Sequence, residues 1–494
     1  MTLFRISHVV RFIAIPFLLL SAGCAVGPNF KKPPAPQVPG YTATPPSTTT
    51  STPNVPGGEA QHFVDGRDIP GEWWSLFHSE QLSDLIERSL KANPDLKAAQ
   101  AALVVARENT LAQRGAYYPS VSAGFSASHS KTSNVVSPFT ASGSLYYSLY
   151  TPQVIVSFVP DVFGLNRRTV ESLKAQEQQA RFALAATHIT LSSNVAAAAI
   201  QEASLRAQTA ATHELITINT DMLEILRNQF AKGYVSRLDV AAQESQLAQV
   251  TATLPPLLKL LAQQRDLLVA LSGGLPSQDL SEKFELSSLQ LPQEIPLSLP
   301  SQLVEQRPDV RQAEENWHSA CALVGVARAN RLPNFTLTAD AGSMALIFSK
   351  MFSSGAGFWD VGAGVEQYVF QGGTLIHRER AARAAYVQAS EQYRSTVLTA
   401  FQNVADTLNA LQQDADGLKA AAAAKDAAGL TLDLAKKQFQ AGYVNYLALL
   451  NAEQAYQQAV INLVQAQANR YADTAALFQA LGGGWWNRAD VPKS

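Results

Sequence analysis

Charge is scarce in this sequence: only 16% of its 494 residues are Asp, Glu, Lys or Arg, against roughly 25% in typical soluble proteins. The formal net charge is -2 and no basic stripe is present, which argues against nucleic acid as a partner. Cysteine is nearly absent. Cys24 and Cys321 stand far apart, so neither a disulfide framework nor a CxxC metal pair can be built from them. Cys321, in an alanine-rich helical stretch, is expected to be a small buried residue. The eight histidines form no HExxH and no close pair, and no G-x-S-x-G, P-loop or GxGxxG opens a helix after a strand. No catalytic, cofactor-binding or metal residue is therefore assigned, and the chain reads as a protein other than an enzyme. Glu314 and Glu315 are expected to be solvated charges on a helix surface. Long apolar runs are also missing. The run over 12–20 is too short to span a bilayer, which takes about 20 residues, so any crossing of a membrane must use strands.

The N-terminus carries Arg5 and Arg11 ahead of that apolar run, the pattern of a secretory signal. It ends Leu20-Ser21-Ala22-Gly23-Cys24, which resembles a bacterial lipobox, whose Cys becomes the lipidated first residue; ordinary cleavage nearby with a free thiol is the competing reading. Acyl anchoring needs two signals to be stable, so a lipid on Cys24 would supplement a membrane domain. The Ser/Thr/Pro-rich segment 41–56 has too little apolar surface to pack and reads as an extended tether.

The chain also repeats itself. Asn93-Pro-Asp-Leu96 recurs as Arg307-Pro-Asp-Val310, and Arg114-Gly-Ala-Tyr-Tyr-Pro119 as Arg328-Ala-Asn-Arg-Leu-Pro333, both 214 positions on. Phe230-Ala-Lys-Gly-Tyr-Val235 recurs as Phe439-Gln-Ala-Gly-Tyr-Val444 at 209, as do Leu238 with Leu447, Glu244 with Glu453 and Gly273-Gly274 with Gly482-Gly483. The spacing changes only between Pro119 and about Gly164, where the variable loop must lie. Each copy reads as a helix, a non-helical stretch, two long helices joined at Gly-Tyr-Val, and a glycine stop. The helix over 165–232 contains no proline and would be roughly 100 Å long. The next, over 236–271, has Leu247, Leu254, Leu261 and Leu268 at heptad spacing, with Pro255-Pro256 expected to kink it.

The non-helical stretches alternate with period two. Val121, Ala123, Phe125 and Ala127 interleave with Ser and Gly; Phe335, Leu337, Ala339 and Ala341 with Asn, Thr and Asp; Trp359, Val361, Ala363 and Val365 with Asp, Gly and Glu. The stretch 145–159 is aromatic but less regular and contains Pro152. Segments of about ten residues with this alternation mark a transmembrane barrel, although a half-buried soluble sheet gives the same pattern. Tyr117, Tyr118, Tyr146, Tyr147, Phe358, Trp359 and Tyr368 fall near strand ends, where aromatic girdles sit. Four strands are too few to close a barrel, which starts at about eight, so the membrane reading requires an oligomer.

Together these residues resemble the TolC-like outer-membrane efflux channels, in the NodT-type lipoprotein branch. The marks are Cys24-Ala-Val-Gly-Pro-Asn-Phe30, Trp73-Trp-Ser-Leu-Phe77, Asn93-Pro-Asp-Leu96, Arg307-Pro-Asp-Val-Arg-Gln-Ala-Glu314, Ala327-Arg-Ala-Asn-Arg-Leu-Pro333 and Ala480-Leu-Gly-Gly-Gly-Trp485. The resemblance implies a mixed α and β membrane protein: a homotrimer with a twelve-stranded β-barrel, four strands per chain, continuous with a twelve-helix periplasmic α-barrel. It implies location in the outer membrane of a Gram-negative bacterium, contact with outer-membrane lipid, and a passive exit duct for drugs or other small toxic compounds. A periplasmic adaptor and a proton-driven inner-membrane pump would be partners. Gly233, Tyr234, Val235, Gly442, Tyr443 and Val444 match the tip turns that dock the adaptor. Leu447, Asn451 and Glu453 are the aperture candidates, with Asn451 standing where the family often has an acidic residue.

The division expected is 1–23 signal peptide; 24–70 lipidated N-terminus and linker; 71–276 first repeat, with strands near 119–130 and 145–159; 277–300 equatorial linker; 301–484 second repeat, with strands near 333–343 and 358–370 and helices over 373–441 and 445–481; and 485–494 tail. A duct for metal ions or secreted protein fits the same features. A periplasmic coiled-coil scaffold explains the helices but not the alternating strands.

Overall fold

The computed structural model describes residues 25–133, 135 and 145–489; Cys24 and the signal segment lie outside them. In chain order the main elements are β1 (His62–Asp65), α1 (Glu80–Ala92), α2 (Pro94–Arg114), β2 (Ser120–Lys131), β3 (Tyr146–Phe158), α3 (Leu165–Ala231), α4 (Arg237–Leu271), β4 (Glu294–Leu297), α5 (Pro300–Gln306), α6 (Pro308–Ala329), β5 (Asn334–Ser343), β6 (Gly357–Glu366), α7 (Thr374–Gln440) and α8 (Tyr446–Ala480). The long helices match in length across the two halves: α3 and α7 have 67 residues each, α4 and α8 have 35.

The chain forms two compact units, each drawing on both halves of the sequence: residues up to Lys32 with Leu103–Ala180 and Ala313–Tyr393, and Pro33–Ala102 with Arg181–Gln312 and Arg394–Ser494. The cut between units therefore does not follow the cut between repeats. An amphipathic module that cannot bury its own apolar face packs against its copy instead.

The first unit contains an antiparallel sheet in the order β2-β3-β5-β6. Its register decides which residues share a face, because directly paired residues point to the same side. Val121 pairs with Val156, Phe125 with Pro152, Leu337 with both Phe158 and Ala363, and Ala341 with Val154 and Trp359. One face is thus apolar on all four strands. The other carries Ser122, Ser126, Thr338, Asp340 and Asp360. Val121, Phe125, Trp359, Val361 and Val365 are 57–78% exposed. Among the described residues, the outer edges of β2 and β6 have no strand partner.

Prolines set the sheet's limits. β6 ends at Glu366, short of the expected 370, because its partner there is Asn334 and Pro333 before it has no N–H to offer. In β3, Pro152 sits where the ladder to β5 stops at Gln153↔Gly342 and resumes only as the bridge Tyr150↔Ala345.

In the second unit the motifs before the prolines have matching mechanical roles. Asn93 Oδ1 accepts from the amides of Asp95 and Leu96, and its Nδ2 donates to Leu271 O, the last carbonyl of α4, at 3.1 Å. Arg307 donates to Ala480 O, the last carbonyl of α8, at 3.0 Å and also grips Asp309. Each half thus uses its residue before proline to satisfy an orphan carbonyl at a helix end. Trp73 stacks on Phe478 at 5.4 Å, and Trp485 meets Phe182 edge-on at 5.9 Å.

Two expectations need correction. Segment 41–56 is packed rather than a free tether: Thr49 and Thr52 are buried, Tyr41 donates to Ser298 O, and Thr50 donates to Asp416. It leads into β1, which pairs in parallel with β4, so the N-terminal segment supplies a strand where none was expected. Hydrogen bonds to its backbone, which composition does not register, hold it. Glu314 is buried and Glu315 bonds His318, so neither is simply solvated. Helix α4 runs from Arg237 to Leu271 with Pro255 and Pro256 inside it. Part of α3 is long and apolar enough to cross a membrane, but 67% of that window is buried within the chain, as in a core helix.

Candidate functional site

The two turns expected at the tip are built alike. Gly233 and Gly442 have φ of +80° and +79°, the left-handed conformation that glycine adopts at little cost. At the first, Gly233 N donates to Phe230 O and Tyr234 N to Gln229 O; at the second, Gly442 N donates to Phe439 O and Tyr443 N to Gln438 O. This is the Schellman pattern at both ends. The next helices restart on capping residues. Ser236 Oγ accepts from Asp239 N while Asp239 Oδ2 accepts from Ser236 N, and Asn445 Oδ1 accepts from Ala448 N. A reciprocal capping box thus accounts for the Asp239 carboxylate.

Above the turns Val235, half-buried, packs on a core that includes Met222, Leu226, Val240 and Leu449. Tyr234 and Tyr443 stand 78% and 83% exposed, and both turns line an open cleft of about 1160 Å³. Beside that core, which takes residues from both hairpins, polar side chains also join them. Tyr446 donates its hydroxyl to Gln243 Oε1, whose Nε2 donates to Asn219 O at 3.0 Å, and Gln454 donates to Gln246 at 2.9 Å. Such bonds are weaker than a packed apolar seam and can be exchanged for water.

The aperture candidates separate. Leu447 is 60% exposed and Asn451 is also exposed; four residues apart, they share a helix face. Glu453, six residues from Leu447, turns to another face and is 4% exposed, with neither carboxylate oxygen hydrogen-bonded. It is therefore a buried acid rather than an exposed ring member. Burial pushes its pKa up to about 7, opposed by Lys436. A raised carboxyl pKa means the folded state holds the proton more tightly. Its stabilising contribution is full below the unfolded pKa and is lost as pH rises towards 7. Hydrogen exchange at the tip amides, corrected for intrinsic rates, should therefore quicken from pH 5 to pH 8. Glu453→Gln should flatten that dependence; an unchanged profile would show that another group sets it.

The first unit holds a second constellation. Arg168 donates to Val26 O, Gly27 O and Asn29 Oδ1 at 3.2, 3.4 and 2.7 Å, and Phe30 stacks on His318 at 4.5 Å. Gly27, at φ +103°, lies against Gly325, so that a Cβ on Gly27 would come within 2.5 Å of the Gly325 Cα. Hydrogen bonds to Glu171 and Glu315 raise the His318 pKa to about 9. Cys321 is buried with Sγ 3.7 Å from Pro28 O. The residues after Cys24 are thus seated in a built groove. Arg168 and His318 carry no local signal of this, since Asn29 lies 139 positions from Arg168 and Phe30 lies 288 positions from His318.

The comparisons agree with one another. Residues 85–274 and 299–483 match the outer membrane efflux protein family. The probable efflux pump outer membrane protein TtgC of Pseudomonas putida is 29% identical over 472 residues, 94% of each chain. The probable outer membrane lipoprotein SilC of Salmonella typhimurium is 26% identical, covering 96% of this chain and 99% of its own. Among solved structures, the outer-membrane channel OprN superposes with TM-score 0.83 at 25% identity, over 94% of this chain and 100% of that one. VceC of Vibrio cholerae superposes with TM-score 0.78 at 26% identity, over 84% and 100%. The chain therefore belongs to the outer membrane efflux proteins and is an outer-membrane channel component of an efflux system.

Proposed function

We propose that three copies of this chain close a twelve-stranded barrel in the outer membrane and that their long helices line a periplasmic tunnel, giving a passive exit duct for drugs or other small toxic compounds. The observation that carries this reading is the four-stranded sheet, apolar on one face, polar on the other and open at both edges. Unpaired edges cannot face lipid, and four strands fall short of a barrel; β2 of one copy pairing with β6 of the next satisfies both limits. The two family matches and the equal helix lengths support a duplicated chain.

The duct performs no chemistry. Cys24, lipidated, adds an anchor in the inner leaflet, and the groove holding residues 25–30 keeps it beside the folded body. Gly233, Tyr234, Val235, Gly442, Tyr443 and Val444 meet a periplasmic adaptor that couples the duct to a proton-driven pump, and Leu447 with Asn451 lines the aperture. Opening separates the tip hairpins by exchanging the Gln243, Gln246, Tyr446 and Gln454 bonds.

The purified protein in detergent should run as a heat-dissociable oligomer and conduct in planar bilayers. With Tyr443→Cys in a Cys321→Ser background, crosslinking neighbouring tips should abolish export in cells, and reduction should restore it. A water-soluble monomer without conductance would remove the duct reading. Full export through crosslinked tips would remove only the assignment of the aperture.

A further inference from the structure

The loop between β5 and β6 does not stand free above the sheet. Ala345 exchanges both backbone hydrogen bonds with Tyr150, at 2.9 and 3.1 Å, and the Ser343 hydroxyl donates to Met351 O. The single turn Phe348–Lys350 lies against the apolar face. The Phe348 ring meets Tyr150 at 5.5 Å and Phe125 at 6.5 Å, edge-on to both. The registers place Phe125 and Tyr150 on that face, opposite Pro152 and Ala127. This shelf leaves Ile347, Phe348 and Phe352 exposed by 54%, 60% and 84%.

Charge on the sheet is segregated by face. Asp340, Asp360 and Glu366 fall on the polar side. On the apolar side the strands carry no carboxylate, and their basic residues are His129 and Lys131, both near the end away from the helices. Lys131 stands 5.4 Å over the Tyr146 ring, and Lys350 is exposed on the shelf. Among the described residues at that end, 129–135, 145–150 and 343–357, there is no carboxylate.

We infer that this shelf is a binding site for a phosphate-bearing, multiply acylated lipid of the outer leaflet. Phe348, Ile347 and Phe352 take its acyl chains, and Lys131 and Lys350 take its phosphates. Apolar area joined to basic charge at the membrane surface is the combination that holds anionic lipid. The inference rests on the proposed membrane barrel, which turns the apolar face to lipid.

The test titrates the detergent-solubilised protein with diphosphoryl lipid A in mixed micelles, for the native chain and for Lys131→Gln/Lys350→Gln. Two basic groups near a lipid surface contribute about 1 kcal/mol each, so the double variant should bind about thirtyfold more weakly. The dephosphorylated lipid should bind both proteins alike, and inorganic phosphate should not compete. Equal affinity of the two proteins, or displacement by inorganic phosphate, would overturn the site. Phe352→Ser should weaken both lipids alike; an unchanged affinity would remove the acyl half of the proposal. Single-channel conductance separates the two readings. A conducting double variant with lost lipid selectivity supports the shelf, whereas a native protein that does not conduct fails the duct regardless of the lipid result.

Discussion

Leu337→Lys should leave little assembled oligomer in the membrane, while Thr336→Lys, one residue earlier, should leave its yield unchanged. Leu337 pairs with Phe158 on one side and Ala363 on the other, so its neighbours on the face are apolar. It is the fourth of ten residues in β5, close to the middle of the strand and, in the proposed barrel, to the bilayer midplane. A lysine there costs about 2–4 kcal/mol, falling towards the interfaces. Thr336 pairs with Gly364 on the opposite face, where a Cβ on Gly364 would meet nothing within 4 Å, so a lysine has room and water. The fraction of heat-dissociable oligomer in outer-membrane extracts measures both. Equal yields from the two variants would mean that the apolar face is not turned to lipid.

The division of the sheet into an apolar and a polar face was legible from alternation alone, because a period of two needs no knowledge of partners. The tip turns were legible for a similar reason. Glycine followed by Tyr-Val after a long helical run specifies a left-handed cap locally, and the same bonds close α4 and α8, where Gly274 N donates to Val269 O and Gly483 N to Phe478 O. What the sequence hid depends on distant partners. Glu453 aligns with Glu244, yet Glu244 is half-exposed and bonded to Arg227 at 2.9 Å while Glu453 is buried and unbonded. Composition made 41–56 a tether because it counts apolar side chains and is blind to a buried donor that holds Thr49 and the carbonyls of Gly57 and Glu59 just beyond. Arg470 is that donor.

Arg470→Ala should release the segment from Tyr41 to Gln61 and destabilise the second unit. The guanidinium is fully buried. It donates to Gly57 O at 3.3 Å, Leu411 O at 2.9 Å, Glu59 O at 3.0 Å and Thr49 Oγ1 at 3.4 Å. Burial holds its pKa down, with Asp414 and Glu59 opposing. Three acceptors belong to the N-terminal segment and one to α7, so a single planar fork joins a strap without regular structure to a helix. Other ties are single bonds spread along the strap: Tyr41 donates to Ser298 O, Gln412 Nε2 to Ser47 O, Thr50 to Asp416, and Gln61 Nε2 to Thr474 Oγ1 at 3.1 Å and Pro292 O at 3.2 Å. Removing the donor leaves buried carbonyls unpaired at about 1–3 kcal/mol each, so a loss of about 3–5 kcal/mol is expected. Arg470→Lys should recover little, since an ammonium cannot span the same acceptors. Limited proteolysis reads the strap directly. In the native chain the stretch from Tyr41 to Gln61 should resist cleavage, in Arg470→Ala it should be cut first, and equal resistance would show that the strap is held without the arginine.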